Sequence, residues 1–505
     1  MRLAIRVLFP AVAVAAALSV VLGAAGVPAS THSEIQLELG DLLFADERYG
    51  EAIPAYLRAK EGAEPEQLVR ASSGLLRSLL FSAEFNRAYE EALFLESLDA
   101  GGTPELRTLS ADGFWGYGLF DEADALYADV LAQLPSSARA RHGLARSLAA
   151  QSRHEEALSE IRAAIAASPA DPVLHHTHAE ILRGLRQYKA AAEALEQYVS
   201  VLPKVRETEQ LEWARSHARF LRSFEDRVPF EMPQEDVVHT LPFELVNDKI
   251  VVLGRINGSD PVELVVDSGA EQMVLSQELA ERAGVRAITK TIGAGVGETG
   301  MRGLDFGRVD SLKVGSFEVY NIPAIIKNPP LTLVGIPSRR VPDSISPLAF
   351  GLSVVIDYRR RQLTLTKHLP DEPADVELPM RIHRLAVVRG VINEEHPKSF
   401  VVDTGGEVIS ISLGTASALR MVPTRHIPLR VFGTSGWDQD AYLLPGVSLA
   451  FRDIEYDNFS VVVLNLHRPS ALVGFHIGGI IGHDFLRNYR VSMDLERSVL
   501  KLNRY

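Results

Sequence analysis

The apolar positions between about residue 33 and residue 202 follow a helical period, and that helical pattern itself repeats. An alanine recurs at intervals of 34 to 36 residues, and an aromatic residue or a histidine precedes it by three positions. A larger residue follows it by four positions in every copy except the second, which has Ala92 there. The pattern predicts about five pairs of helices, with the recurring alanines at positions 52, 88, 123, 157 and 191.

From residue 228 onward the pattern changes to short β-branched runs that are broken by Gly, Pro and Asn-Gly signals, which indicates strands. The segment 262–271 recurs as 398–407, at an offset of 136 residues, so we expect a duplicated lobe. The polar segment 371–375 is the expected linker between the copies. The predicted organisation is an N-terminal leader over 1–29, helical repeats over 33–204, a capping helix and linker over 205–227, lobe 1 over 228–370 and lobe 2 over 371–505.

The helical repeats resemble tetratricopeptide repeats, which stack into a solenoid with a groove. This resemblance implies a protein partner in the groove, although a spacer role is the alternative. The repeats contain no acid–base constellation, so we expect the groove to be separate from any catalytic cleft. His175, His176 and His178 lie near Glu180 and could suggest a metal site, but a solvated helix face with Asp171 as the helix cap is the favoured interpretation.

The first residues have a basic start, with Arg2 and Arg6, followed by an uncharged apolar run and the small residues around Ala29. This pattern is typical of an export signal, and an uncleaved membrane anchor is the alternative. Both interpretations place the rest of the chain outside the cytoplasm, either periplasmic or secreted.

Composition and net charge exclude several kinds of partner and of chemical site. The chain of 505 residues has a net charge of −13 and no long basic run, which argues against nucleic acid as a partner. It has no cysteine, which excludes disulfides, Cys-ligated metals and a thiol nucleophile. We expect no metal and no cofactor.

Each lobe has an Asp-Ser/Thr-Gly triplet directly after a hydrophobic strand. Hydrolysis of a peptide bond without a metal needs one group to deprotonate water and another to protonate the carbonyl oxygen. Two carboxyl groups about 3 Å apart meet this need because they cannot both ionise. The hydroxyl can pin the loop, and the glycine allows close approach. The triplets are Asp267, Ser268 and Gly269 in lobe 1, and Asp403, Thr404 and Gly405 in lobe 2.

These triplets resemble those of the aspartic peptidases, and in particular the retropepsin-like exported bacterial branch. The resemblance implies an all-α tetratricopeptide solenoid followed by a mainly-β, two-lobed aspartic-protease fold, with Asp267 and Asp403 sharing one proton and a water. It also implies that Glu271 and Glu407, four residues after each aspartate, hold substrate backbone. A surface-loop role for these two glutamates is the alternative.

The Gly-rich segment 291–300 resembles the flap hairpin that covers the cleft, with 432–437 as its counterpart. The flap candidates for substrate contact are Gly295, Gly297, Gly433 and Trp437. The closing pattern of the family includes a glycine under the active site, which is Gly482 in lobe 2, and Ile345 is interpreted as its counterpart in lobe 1. That departure favours the rival hypothesis described next.

The leading hypothesis is an exported aspartic endopeptidase whose lobes form a monomeric catalytic unit and whose repeats recruit a peptide or protein substrate. The rival is a catalytically inactive, protease-like protein that binds peptides or assembles with partners. Both aspartates are present, which favours the enzyme.

Overall fold

The structure is a computed structural model that describes residues 29–98, 102–202, 209–234, 236–293, 302–327, 343–419, 427–429, 431–433 and 436–505. The predicted leader over 1–29 lies almost wholly outside these residues. No helix in the described ranges combines the length and the apolar character needed to cross a membrane. The chain divides into two compact units, one ending at Gly113 and the other running from Phe114 to Tyr505.

Eleven helices occupy the described part of the first half, in the paired order that the repeat predicted. The residue of the predicted aromatic or histidine position begins the second helix of each pair, and the recurring alanines are all fully buried. The helices are α1 Ala29–Ala45, α2 Tyr49–Ala59, α3 Pro65–Phe81, α4 Phe85–Ser97, α5 Pro104–Tyr117, α6 Phe120–Gln133, α7 Ala138–Ala150, α8 His154–Ala167, α9 Pro172–Gly184, α10 Tyr188–Val201 and α11 Glu209–Arg222.

The larger residue of the repeat explains how neighbouring helices pack. A Cβ atom placed on Gly143 of α7 would lie 2.3 Å from the ring of Tyr127 on α6, and a Cβ on Gly74 of α3 would lie 2.3 Å from the ring of Tyr56 on α2. Both tyrosines are buried. The ring therefore occupies the space that a side chain on the neighbouring helix would need, and glycine is required there.

Lobe 1 is built on an eight-stranded sheet with the order β2-β3-β4-β9-β5-β8-β7-β6. Its further elements are helix α12 (Gln277–Arg282) and a 3-10 turn over Pro347–Phe350. The strands of this half are β1 His239–Pro242, β2 Glu244–Val246, β3 Lys249–Ile256, β4 Val262–Val266, β5 Met273–Ser276, β6 Ala287–Gly293, β7 Arg302–Val314, β8 Phe317–Lys327, β9 Ser344–Ile345, β10 Ser353–Asp357 and β11 Gln362–Thr366.

The strands of lobe 2 have the same arrangement as those of lobe 1. Its helices are α13 (Leu413–Ala418), α14 (His467–Val473) and α15 (His483–Leu486). A separate pair of strands, β17 and β18, forms a hairpin. The strands are β12 Val376–His383, β13 Leu385–Ile392, β14 His396–Val402, β15 Ser410–Ser412, β16 Ile427–Pro428, β17 Val431–Gly433, β18 Gly436–Asp438, β19 Tyr442–Phe451, β20 Ile454–Leu464, β21 Gly479–Ile481, β22 Tyr489–Asp494 and β23 Val499–Arg504.

A continuous run of strands joins the two lobes. In the sheet order β1-β11-β10-β22-β23-β12, strand β10 of lobe 1 pairs with β22 of lobe 2 in antiparallel register, with Val354 opposite Met493. Buried residues of both lobes belong to one hydrophobic core. The two aspartate loops are therefore held on a common framework within a single chain.

The duplication is visible in backbone detail. Asn257 and Asn393 both adopt a left-handed conformation, with φ of 50° and 47°. Each uses its side-chain oxygen to accept a backbone N–H from a neighbouring strand, that of Ser311 at 3.0 Å and that of Ser448 at 3.0 Å. Asparagine tolerates this backbone region because its short side chain bonds locally. Equivalent residues thus perform the same structural task in both lobes.

The prediction that these histidines lie on a solvated helix face is wrong. His175 is buried and hydrogen-bonds the carbonyl oxygen of Pro169 at 2.8 Å, and His176 packs against Trp213 of α11. The cap was predicted correctly, since Asp171 Oδ1 accepts the N–H of Val173 at 3.0 Å. Trp213 of α11 and the carbonyl of Pro169 shield these two histidines, and the helical period alone indicated neither contact.

Candidate active site

The two aspartates follow the ends of matched central strands. Strand β4 ends at Val266 and runs parallel to β9, and strand β14 ends at Val402 and runs parallel to β21. The N–H of Asp267 donates to a β9 carbonyl at 2.9 Å, and the N–H of Asp403 donates to a β21 carbonyl at 3.0 Å. Neighbouring strands thus anchor each loop where its aspartate emerges.

Reciprocal hydrogen bonds tie the two loops together. The N–H of Ser268 donates to Thr404 Oγ1 at 3.0 Å, and the N–H of Thr404 donates to Ser268 Oγ at 3.0 Å. Each hydroxyl also donates across the lobe boundary, Ser268 to the carbonyl of Val402 and Thr404 to the carbonyl of Val266, both at 2.7 Å. All four polar groups are buried and satisfied, which fixes one loop relative to the other.

The glycines allow the carboxyl groups to meet. A Cβ on Gly269 would lie 2.4 Å from Cγ of Asp403, and a Cβ on Gly405 would lie 2.6 Å from Cγ of Asp267. Any side chain at either position would therefore collide with the opposite carboxyl group. The structure brings together all six triplet residues that the sequence predicted.

The environment of Asp267 and Asp403 favours a state in which the two carboxyl groups share one proton. Burial raises the pKa of Asp267, and the charge and the hydrogen bond of Asp403 raise it further, to about 7, although the Lys249 ammonium opposes this rise. Asp267 Oδ1 accepts one backbone N–H, from Gly269, whereas Asp403 Oδ1 accepts two, from Gly405 and Gly406. More N–H donors favour the charged carboxylate, so the shared proton is better placed on Asp267.

Lys249 is a site residue that the sequence reasoning missed. It begins β3, and its Nζ donates to the carbonyl oxygen of Gly405 at 2.6 Å. It also lines the cavity that contains both aspartates. In lobe 2 the equivalent position is Leu385, because β3 and β13 pair with the aspartate strands in the same register at an offset of 136. Comparing the two copies at that offset would have exposed the difference.

Glu271 lies in an ion-pair cluster. Its Oε1 accepts from Arg183 of α9 at 2.9 Å, and its Oε2 accepts from Nε and Nη2 of Arg384 at 3.0 and 2.7 Å. Arg183 also donates to Glu180 at 2.7 Å. Burial would raise the pKa of Glu271, but the charges of Arg384 and Arg183 hold it well below its usual range. Glu271 is therefore a firmly held anion.

Glu407, the counterpart in lobe 2, has a different environment. It is exposed and lines the same cavity, and within the described ranges no ion pair to its carboxylate is found. The position equivalent to Arg384 is Asp248, at the offset of 136, so lobe 1 presents a negative charge where lobe 2 presents a positive one. The two glutamates share a sequence position but not a partner.

One cavity of about 2090 Å³ contains both aspartates and extends along the helical repeats. Its repeat-derived wall includes His176, Glu180 and Arg183 of α9 and Trp213 and His217 of α11. The prediction that the groove and the cleft are separate is therefore wrong for the part of the repeats after Gly113. The prediction failed because residues that lie far apart in the chain, and that share no sequence pattern, pack together here.

The repeats after Gly113 are attached to both lobes. Arg381 of β12 pairs with Asp121 and Asp124 of α6 at 2.5 and 2.8 Å. On the other lobe, Phe220 of α11 stacks on Phe306 of β7 with ring centroids 4.4 Å apart. Phe306 belongs to the hydrophobic core of the last repeats. The first contact attaches the repeats to lobe 2 at α6, and the second attaches α11 to lobe 1.

The flap predictions are only partly described. Gly295 and Gly297 lie outside the described residues. In lobe 2 the backbone forms the predicted hairpin, in which Gly433 pairs with Gly436 and Trp437 pairs with Phe432. The substrate-binding roles of Gly433 and Trp437 stay predictions, as do those of Glu271 and Glu407.

The interpretation of Ile345 as the counterpart of Gly482 is wrong. Ile345 pairs with Val266 as Ile481 pairs with Val402, so Ile345 corresponds to Ile481 and the residue at the position of Gly482 is Ser346. The carbonyls of Ile345 and Ile481 accept the N–H groups of the two aspartates. The two positions were mismatched by one residue because the offset between the copies is not constant, being 137 at Ser311 and Ser448 but 136 at Ile345 and Ile481.

No group of His, Asp and Glu side chains within the described residues has the arrangement of a metal site. The donors nearest the dyad are engaged with the chain itself, since Glu271 is held by two arginines and the aspartates by backbone N–H groups. The acid–base chemistry that the site supports is that of a carboxyl pair.

Comparison with known proteins agrees with this geometry. Residues 252–342 and 388–485 match the model of the aspartyl protease family, and residues 108–172 match that of the tetratricopeptide repeat. Among curated proteins, none matches the chain.

Solved structures with similarity include a thermophilic TPR protein from Thermus thermophilus, at 18% identity and a TM-score of 0.32, which covers 37% of this chain and 98% of that one. An aspartic proteinase from Irpex lacteus, at 12% identity and a TM-score of 0.34, covers 53% of this chain and 97% of that one. The chain thus combines a region that matches the tetratricopeptide repeat model with a two-lobed region that matches the aspartyl protease family model.

Proposed function

We propose that this protein is an aspartic endopeptidase that hydrolyses peptide bonds with a water activated by Asp267 and Asp403. The observation that carries the proposal is the contact between the two loops. Each loop glycine lies where a Cβ would be 2.4 to 2.6 Å from the opposite carboxyl carbon, and four reciprocal hydrogen bonds lock this arrangement. Such precise support is what an acid–base pair requires.

In the proposed reaction the charged carboxylate, better placed on Asp403, takes a proton from the water, whose oxygen attacks the peptide carbonyl carbon. The proton on Asp267 passes to the carbonyl oxygen, which gives a neutral tetrahedral diol. The leaving nitrogen then takes the proton held by Asp403, the C–N bond breaks, and a diol hydroxyl returns its proton to Asp267. The pair ends as it began, with one proton.

The rival, an inactive peptide-binding protein, depended on a disrupted floor in lobe 1. That argument is weaker because Ile345 takes the role of Ile481, and its carbonyl accepts the N–H of Asp267 at 2.9 Å. The residue that does differ, Ser346, lies beyond this contact. The aspartate N–H is anchored in the same way in both lobes, and the lobe 2 loop has two further backbone hydrogen bonds, from the N–H groups of His483 and Asp484 to the carbonyls of Gly406 and Glu407, both at 2.9 Å.

We also propose that the protein acts outside the cytoplasm, periplasmic or secreted, as the basic and then apolar residues of 1–29 support. Since both aspartates come from one chain, we propose a monomeric catalytic unit with a peptide or protein as substrate. The repeats are proposed to bind a protein partner or a part of the substrate.

Cleavage of an unstructured protein such as reduced casein, followed over a range of pH with and without a pepstatin-type inhibitor, tests the proposal. We expect inhibitor-sensitive cleavage, and we expect Asp267→Asn and Asp403→Asn each to lower kcat/KM at least about 100-fold, since each removes half of the acid–base pair. Circular dichroism should show an unchanged fold. Full activity in either variant would refute the shared pair.

A further inference from the structure

Helix α9 brings a charged cluster to the cleft. Arg183 lies near the C-terminal end of α9, and Glu271 lies 88 residues later, four positions after Asp267. The side chains of Arg183, Glu271 and Arg384 are 27%, 21% and 29% exposed, so the cluster is largely shielded yet open to the cavity.

The hydrogen bonds of Glu271 show which oxygen is available to a ligand. A carboxylate can accept about four hydrogen bonds. Oε2 already accepts two, both from Arg384, whereas Oε1 accepts one, from Arg183, within the described part of the chain. Oε1 therefore keeps the capacity for a further donor, and it is the oxygen that Arg183 holds.

Arg183 is itself oriented by the repeats. Its Nη2 donates to Glu180, one turn earlier on α9, at 2.7 Å and to Glu271 at 2.9 Å. Arg384 alone would hold only Oε2 and would leave the carboxylate free to turn about that contact. With Arg183 in place both oxygens are fixed, and the one facing a ligand is fixed by the repeat helix.

We propose that α9 forms part of the substrate site, with Arg183 positioning the Glu271 carboxylate so that Oε1 accepts a backbone N–H of an extended peptide bound across the dyad. This inference rests on the proposed function for the identity of the ligand. Arg183 acts through Glu271 and is a positioning residue. The repeats consequently contribute to cleavage of even short peptides.

The test uses the full chain and two readouts. One is kcat and KM on a fluorogenic peptide of about eight residues, and the other is the Kd of a statine-containing, non-hydrolysable peptide. We expect Arg183→Met to lower kcat/KM at least about tenfold, mainly through KM, and to weaken binding of the statine peptide by a similar factor. Arg183→Lys, which keeps the charge, should recover part of the loss.

A double-mutant cycle separates positioning from general support. In a Glu271→Ala background, Arg183→Met should change KM by less than about twofold, because the carboxylate through which Arg183 acts is gone. Arg381→Met is the matched control, since it removes another ion pair between the repeats and lobe 2, that with Asp121 and Asp124. We expect it to leave peptide KM unchanged.

Should Arg183→Met fail to fold, Glu180→Gln loosens Arg183 without removing the partner of Glu271, and it should still raise KM a few-fold. Equal effects of Arg183→Met and Arg381→Met, independent losses in the cycle, or no binding of the statine peptide by the wild type would each overturn the inference. If the wild type binds that peptide in an Arg183-dependent way but does not hydrolyse, the proposed function fails and the inference stands.

Discussion

The two lobes have the same backbone at the dyad but different surroundings four residues later. Glu271 of lobe 1 is held by Arg384 and by Arg183 of the repeats, whereas Glu407 of lobe 2 is exposed and has no ion pair in the described residues. The hairpin position that supplies Arg384 in lobe 2 supplies Asp248 in lobe 1. Duplication reproduced the strands and loops, and substitution around them made the cleft asymmetric.

This difference teaches that the symmetric and the asymmetric parts have different tasks. The symmetric part, with reciprocal hydrogen bonds between the loops, brings two carboxyl groups together. The asymmetric part distinguishes them, because Asp267 accepts one backbone N–H and Asp403 accepts two, and because Lys249 of lobe 1 donates to the carbonyl of Gly405 in lobe 2. An extended peptide is not symmetric, so an asymmetric cleft can bind it in one direction.

The largest expected effect comes from replacing the loop glycine that each lobe has next to the dyad. Gly405→Ala places a Cβ 2.6 Å from Cγ of Asp267, and Gly269→Ala places one 2.4 Å from Cγ of Asp403. We expect each to lower kcat/KM at least about 100-fold, because the carboxyl groups must separate. Gly50→Ala, where a Cβ meets nothing within 4 Å, is the matched control. Loss in only one of the two loop variants, measured by peptide hydrolysis, would contradict the symmetric model.

A smaller effect, on stability, is expected at the position under the active site where lobe 2 has Gly482 and lobe 1 has Ser346. A Cβ on Gly482 would lie 2.6 Å from the carbonyl oxygen of Val408, whereas lobe 1 accommodates Ser346 at the equivalent position. We expect Gly482→Ser to lower the free energy of unfolding by about 1–3 kcal/mol through overpacking. Ser346→Gly should cost about 0.5–1 kcal/mol through backbone entropy. Urea denaturation measures both, and equal costs would show that the two floors are alike after all.

The smallest expected effect is on pH dependence. The Lys249 ammonium lowers the pKa of Asp267, so removing it in Lys249→Met should raise that pKa further. Because the active pair holds one proton, activity is lost as pH rises through this pKa, and the alkaline limb of kcat/KM should move to higher pH by about one unit or less. Lys249→Arg keeps the charge and should keep the limb. A limb that moves to lower pH in Lys249→Met would disprove the electrostatic role.

Much of the molecule was predictable because its signals are local or periodic. The recurring alanines gave the helix pairs, and the repeated segment with an aspartate after a hydrophobic strand gave both loops, as Asp267 and Asp403 show. The segment that recurs at an offset of 136 indicated the duplication, and Asn257 and Asn393, at the same offset, both adopt a left-handed backbone. In all of these cases the information lies within a few residues or at a constant offset.

Register and docking were decided by the tertiary structure. The one-residue slip at Ile345 was corrected only by strand pairing, because an offset that changes along the chain does not show where it changes. The partners of Glu271 come from 88 residues earlier and 113 residues later, on a helix and a hairpin that share no motif with it. A sequence determines which helices and strands form, since these depend on neighbouring residues. Which surfaces then meet depends on packing between distant elements, and that packing made a repeat helix one wall of the candidate active site.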